Sequence, residues 1–230
     1  MARQPAFIGA VTLIAVLLLI VYGISALAPT EQRGSVDGIV EEGQERPTAP
    51  SVDFANPSIG PAGAPLTIVM YSDYLCDACG TMQASLVEVL PKLGDDVRLV
   101  WKDLPNTSLH PESMNAALAA RCAADQGAFW KYHDLLFARQ DTAKSGDFTT
   151  LAAELGLDVT AFSECLEARR TAPLVERDAR EAVALGIDAT PYMFIGDKRV
   201  SGAMGALQLE ATIRTALAAV RETSENKMNE

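Results

Sequence analysis

Basic residues are in deficit, 19 lysines and arginines standing against 30 aspartates and glutamates. A chain this acidic repels a phosphate backbone, which excludes nucleic acid as a partner. Histidine is scarcer still, with His110 and His133 the only two. No internal repeat is visible, so a solenoid is excluded. Cysteines number four, enough for three alternative pairings and no more. With 230 residues there is room for one sizeable core and some appendages, but two full domains would be a squeeze. An apolar share of 49% excludes a disordered chain, yet that share is unevenly spread.

Much of it lies at the start. From Phe7 to Ala28 run 22 residues without a charge, long enough to cross a bilayer as a helix. Only Arg3 and the α-amino group precede them, and positive charge keeps residues 1–6 cytoplasmic. The segment 7–28 therefore reads as a signal-anchor helix in the lipid bilayer, with the remainder on the extracytoplasmic side, periplasmic or extracellular. The rival reading is a cleaved signal peptide, since Ala26-Leu27-Ala28 has the small-x-small form of a cleavage site. Pro29 just after that point suits a protease poorly.

Residues 29–57 hold four prolines and three glycines without apolar periodicity, which describes a flexible linker with a reach of about 30 Å. Regular structure is expected to begin with a buried strand at Leu66–Tyr71. A helix with Cys79, Met82, Leu86, Val89 and Leu93 on one face follows, closed by Gly94 and loosened at Pro91. Val97–Trp101 is a second strand, completing a β-α-β unit. An alanine-rich helical stretch occupies about 108–186. Strands return at Tyr192–Ile195 and Lys198–Val200 around a Gly196-Asp197 turn, ahead of a last amphipathic helix. The domain is thus bounded at 58–222, and the polar tail 223–230 is expected to fray.

Cys76 and Cys79 sit where the first strand runs into its helix, so they lie at a helix N-terminus, where free N–H groups and the macrodipole stabilise a thiolate. Cys76, the more exposed, is the candidate nucleophile, and Cys79 is placed to resolve a mixed disulfide. The same spacing serves zinc sites and structural disulfides. Zinc would need two more ligands, and His110, His133, Cys122 and Cys165 fall in helical segments without a second paired motif. Cys122 and Cys165 each lie in an amphipathic helical pattern and are expected to form a structural disulfide, two buried free thiols being the alternative. Trp130 and Phe129 read as core packing, the two histidines as capping or surface residues. Asp73 is open between a turn-forming role and a catalytic one.

The segment Gly63-Ala64-Pro65-Leu66-Thr67-Ile68-Val69-Met70-Tyr71-Ser72-Asp73-Tyr74-Leu75-Cys76 resembles the opening of DsbA-like thioredoxin-fold proteins. Leu109-His110-Pro111, Ala119-Ala120-Arg121-Cys122 and the run Gln126 to Phe137 are similar to that family's helical insertion. Leu185 to Ile195, with Thr190-Pro191 at its centre, is similar to its Gly-x-x-x-Thr-Pro strand entry. The resemblance covers about 58–220. It implies an α/β thioredoxin-like fold with an inserted helical subdomain, Pro191 in the cis form beside the cysteine pair, and Thr190 presenting its backbone to a bound peptide. It also implies a thiol:disulfide oxidoreductase that forms disulfides in unfolded or reduced exported proteins without an organic cofactor. Reoxidation would fall to a membrane quinone-linked partner of the DsbB or VKOR type. Use of the pair by a reductase or isomerase, and a peptide-binding module with a structural disulfide, are the alternatives. Asp77-Ala78 between the cysteines departs from the oxidising members, and the carboxylate of Asp77 is expected to raise the pKa of Cys76 by repulsion.

Overall fold

The computed structural model describes residues 47–228. The apolar span 7–28 lies outside them, as does most of the expected linker. Among the described residues no helix is long and apolar enough to cross a membrane.

The centre is a five-stranded sheet in the order β1-β3-β2-β4-β5, built from β1 (Ser58–Ile59), β2 (Leu66–Ser72), β3 (Val97–Asp103), β4 (Tyr192–Ile195) and β5 (Lys198–Ser201). β2 and β3 are parallel and joined by helix α1 (Asp77–Leu93), while β1, β4 and β5 pair antiparallel to their neighbours. Helices cover both faces, which is why β2 reads as an almost unbroken apolar run rather than an alternation. Ile68 and Met70 pack with Met82, Leu86 and Val89 of α1 and with Leu209 and Ile213 of the last helix. Val69 and Tyr71, pointing the other way, pack with Ala182, Leu185 and Phe194.

Between β3 and β4 lies the helical insertion: α2 (Ser113–Ala124), α3 (Phe129–Ala138), α4 (Gln140–Lys144), α5 (Phe148–Glu154), α6 (Val159–Glu167) and α7 (Ala172–Ala184). Asp147 and Asp158 cap α5 and α6 by accepting the N–H groups of Thr150 and Ala161. Cys122 of α2 and Cys165 of α6 are joined by a disulfide that closes a separation of 43 residues.

The boundaries differ from the sequence expectation at both ends. Residues 47–57, assigned to a flexible linker, are pinned to the domain. Arg121 Nη1 donates to the carbonyl of Ala55 over 2.7 Å, Asn56 is buried against Asp178, and Ser51 donates its N–H to Glu181 over 2.7 Å. These anchors belong to a buried ionic cluster in which Asp178 meets Lys102, Arg121 and Arg177 while Arg121 also meets Asp103. At the other end the polar tail does not fray at Glu222, because α8 runs from Ala206 to Met228. Arg221 is tied to Asp96 at 2.7 Å, and the hydroxyls of Thr223 and Ser224 donate back to the carbonyls of Ala219 and Val220 over 2.9 Å.

Candidate active site

The end of β2 is turned by Asp73. Its Oδ1 accepts the N–H of Leu75 over 2.9 Å, and its carbonyl accepts the N–H of Cys76 over 3.3 Å. The chain then enters α1 with Cys76 as its N-cap, in extended backbone conformation. Cys79 donates its N–H to Sγ of Cys76 over 3.3 Å. A cysteine thus takes the place of the usual serine or aspartate, so the helix's unpaired donor meets a sulfur.

Hydrogen bonding from Cys79 is the largest influence on Cys76 and outweighs partial burial, lowering its pKa from 9.0 to about 6. Thr190 pulls the same way, whereas the charge of Asp73 pushes upward. Cys79 is fully buried, and its pKa is raised by the hydrogen bond to Cys76 and by desolvation, against the pull of the Ser72 hydroxyl. The two thiols are therefore unequal: the half-buried sulfur is the thiolate and the buried one keeps its proton.

Strand β4 brings the third component. Tyr192 pairs with Tyr71, so the residues just before Tyr192 fall beside the end of β2. The Thr190–Pro191 peptide bond there is cis, Pro191 is buried, and the Thr190 carbonyl accepts from Sγ of Cys76 at 3.7 Å. Proline has no N–H, so Pro191 donates nothing here, while its carbonyl accepts the N–H of Gly202 over 2.8 Å. Next to it a cleft of about 210 Å³ opens between residues 104–108 and 187–190.

Sequence reasoning placed Cys76, Cys79, Thr190 and Pro191 as site residues, and the fold brings all four together. It placed Cys122 and Cys165 apart from them, and there they are bonded to each other. That bond removes both as ligands for any metal at the first pair.

Two expectations need correction. The Asp77 side chain is 85% exposed and paired with Lys144 Nζ at 3.1 Å, so solvent and a countercharge screen it. The carboxylate that raises the pKa of Cys76 is that of Asp73, which is buried. His133, expected as a capping or surface residue, is fully buried among Tyr74, Trp101, Trp130 and Phe137. Its Nδ1 lies 3.2 Å from the Tyr74 hydroxyl, and burial lowers its pKa to about 3. His110 is half-buried in the turn before α2, where its carbonyl accepts from Ser113. Phe129 is buried as expected, and the partly buried Trp130 also donates its indole N–H to the Ser58 carbonyl.

Gln140, Asn106 and Ser72 were not read from the sequence as parts of the site. Gln140 and Asn106 are uncharged polar residues with no motif to mark them and contacts that span more than thirty positions, while Ser72 lies within the Gly63–Cys76 segment without a charge or spacing that singles it out.

Comparison with known proteins agrees with this geometry. A family model described as Thioredoxin matches residues 54–215. A thioredoxin-like oxidoreductase from Silicibacter pomeroyi DSS-3 is 27% identical, with a TM-score of 0.65 over 74% of this chain and 94% of that one. Oxidised BdbD from Bacillus subtilis is 26% identical, with a TM-score of 0.61 over 71% of this chain and 94% of that one. Among curated sequences, the Na(+)/H(+) antiporter NhaA 3 of Salinispora tropica is 37% identical over 188 residues. That match takes in 82% of this chain but 28% of the antiporter, so the chain spans little more than a quarter of the curated relative.

Proposed function

The chain belongs to the thioredoxin family and its site supports thiol–disulfide exchange, and from that premise we propose that the exchange runs in the oxidising direction on exported proteins. The observation that carries this reading is the hydrogen bonding of Cys79 to Sγ of Cys76, from its thiol first and from its backbone N–H besides, with the lowered pKa that sulfur then has. A thiolate exists only in the reduced form. Whatever stabilises it favours the dithiol over the disulfide and makes the disulfide an oxidant.

The cycle starts from the Cys76–Cys79 bond. A substrate thiolate attacks Sγ of Cys76, forming a substrate–Cys76 disulfide and releasing Cys79, which takes up a proton as its raised pKa favours. A second substrate thiolate then attacks the substrate sulfur of that bond. The product leaves with its new disulfide, and Cys76 leaves as the stabilised thiolate. Two electrons have passed from the substrate to the pair, and a membrane quinone-linked partner of the DsbB or VKOR type removes them. The apolar span 7–28 serves in this reading as the anchor that keeps the domain near that partner, on the extracytoplasmic side.

Equilibration with glutathione buffers tests the direction. The expected potential lies nearer the roughly −120 mV of DsbA than the roughly −270 mV of thioredoxin. The reduced protein should also melt above the oxidised one at pH 7. A thioredoxin-like potential, with the oxidised form the more heat-stable, would assign the site to reduction instead.

A further inference from the structure

Helix α4, the shortest of the insertion, lays one face on the active-site turn. Gln140 and Lys144, one helical turn apart, both reach it. Gln140 Nε2 donates to the carbonyl of Tyr74 over 2.9 Å and to that of Cys76 over 3.3 Å, and Lys144 meets Asp77. The carbonyl of Cys76 is also the acceptor of the first helical bond of α1, from the N–H of Gly80 over 3.1 Å. One amide group therefore fixes the peptide planes on both sides of Leu75 and Cys76.

Gly80 is the second sign of this contact. It lies inside α1, where glycine costs about 1 kcal/mol relative to alanine, and its backbone is ordinary helix that alanine would also adopt. A Cβ at this position would stand 3.2 Å from Oε1 and 3.3 Å from Nε2 of Gln140. The missing side chain is the space that the Gln140 amide occupies.

We propose that Gln140 is a positioning residue of the redox pair, holding the active-site turn from the helical insertion so that the first amides of α1 stay aimed at Sγ of Cys76. This rests on the exchange reading given above. Without the amide, the Cys76 peptide is held by the Gly80 bond alone, the first turn of α1 frays, and the Cys79 N–H loses its alignment with the sulfur.

The test uses the full chain, reduced, with the Cys76 thiolate titrated by its ultraviolet absorbance. Gln140→Met keeps the shape and removes the donors. It is expected to move the Cys76 titration upward by about one pH unit, a tenfold loss of thiolate at a pH below the midpoint. Gly80→Ala, which pushes the amide by a few tenths of an ångström, should move it the same way by less. It carries the test if Gln140→Met no longer melts cooperatively. Arg139→Met, which removes only an exposed pair with Glu154, should leave the titration in place. Unchanged titrations in Gln140→Met and Gly80→Ala, or an equal shift in Arg139→Met, would overturn the positioning role while leaving the exchange reading standing. A parent protein whose Cys76 titrates like an ordinary thiol, near 9, would overturn both.

Discussion

Asp73 and Asn106 are tied together across the mouth of the site, the N–H of Asn106 donating to Oδ2 of Asp73 over 3.0 Å. With Leu75 donating to Oδ1, both oxygens of this buried carboxylate are spent on backbone. Asp73 therefore joins the active-site turn to the loop after β3, and places its charge where it opposes the Cys76 thiolate. Asp73→Asn removes the charge and one of the two acceptors. It should lower the pKa of Cys76 and destabilise the fold by about 1–3 kcal/mol, the usual cost of an orphaned buried donor. Asp77→Asn should leave both nearly unchanged. Thiolate titration and urea unfolding of the two variants side by side measure the contrast, and a larger thiolate shift in Asp77→Asn would reverse the assignment.

The unequal thiols predict different lesions. Cys79→Ala should attack a disulfide-bonded protein through Cys76, expelling one of its sulfurs as a thiolate and keeping the other in a mixed disulfide that persists on a non-reducing gel, because the resolving sulfur is gone. Cys76→Ala should form none. In the parent protein, alkylation of Cys76 should rise with pH to a plateau with its midpoint near 6. A midpoint near 9 would mean that the N-cap contact does not stabilise the thiolate.

His133 gives the fold an acid sensitivity. Burial lowers its pKa from 6.5 to about 3. In the unfolded chain it takes a proton below about 6.5, and in the folded protein it does not. The contribution is therefore fully present above 6.5 and is lost as pH falls toward 3, by roughly 1.4 kcal/mol per unit. His133→Phe should flatten this part of the profile. Urea midpoints of variant and parent between pH 7 and 4 measure it, and parallel profiles would show that His133 titrates normally.

The Cys122–Cys165 bond closes a loop of 43 residues, for which chain entropy gives about 4 kcal/mol. The double alanine variant should lose stability on that scale while keeping the Cys76 titration of the parent. A coincident shift in that titration would mean that the disulfide also orders the active-site turn.

Asp178 is the hub of the buried ionic cluster, with Lys102, Arg121 and Arg177 all within 3.3 Å. Asp178→Ala leaves Arg121 only Asp103 and Lys102 only Glu181, an excess of buried positive charge that should cost about 3–5 kcal/mol. Asp53→Ala, which breaks a partly exposed pair with Arg177 at 2.9 Å, should cost no more than about 1 kcal/mol. Equal losses in urea unfolding would show that the cluster is open to water.

Local chemistry by itself determined much of this protein. The apolar runs at Leu66 and Val97, the amphipathic face from Cys79 to Leu93 and the alanine-rich insertion were legible because the hydrophobic period reports which side of an element is buried. The redox pair was legible for a related reason: a strand running into a helix puts Cys76 at the helix N-terminus whatever surrounds it. Tertiary structure alone decided which charges matter. Asp73 and Asp77 are equivalent as letters, three and one residues before and after Cys76, yet one is buried against the site and the other is held outward by Lys144 from the insertion. In the same way it decided that His133 would be sealed among aromatics, that residues 47–57 would be held by an ionic cluster, and that Gln140 would grip the active-site turn. Those outcomes depend on what lies close in space but far along the chain, and the strength of a charge or hydrogen bond is set by the dielectric and the partners found there.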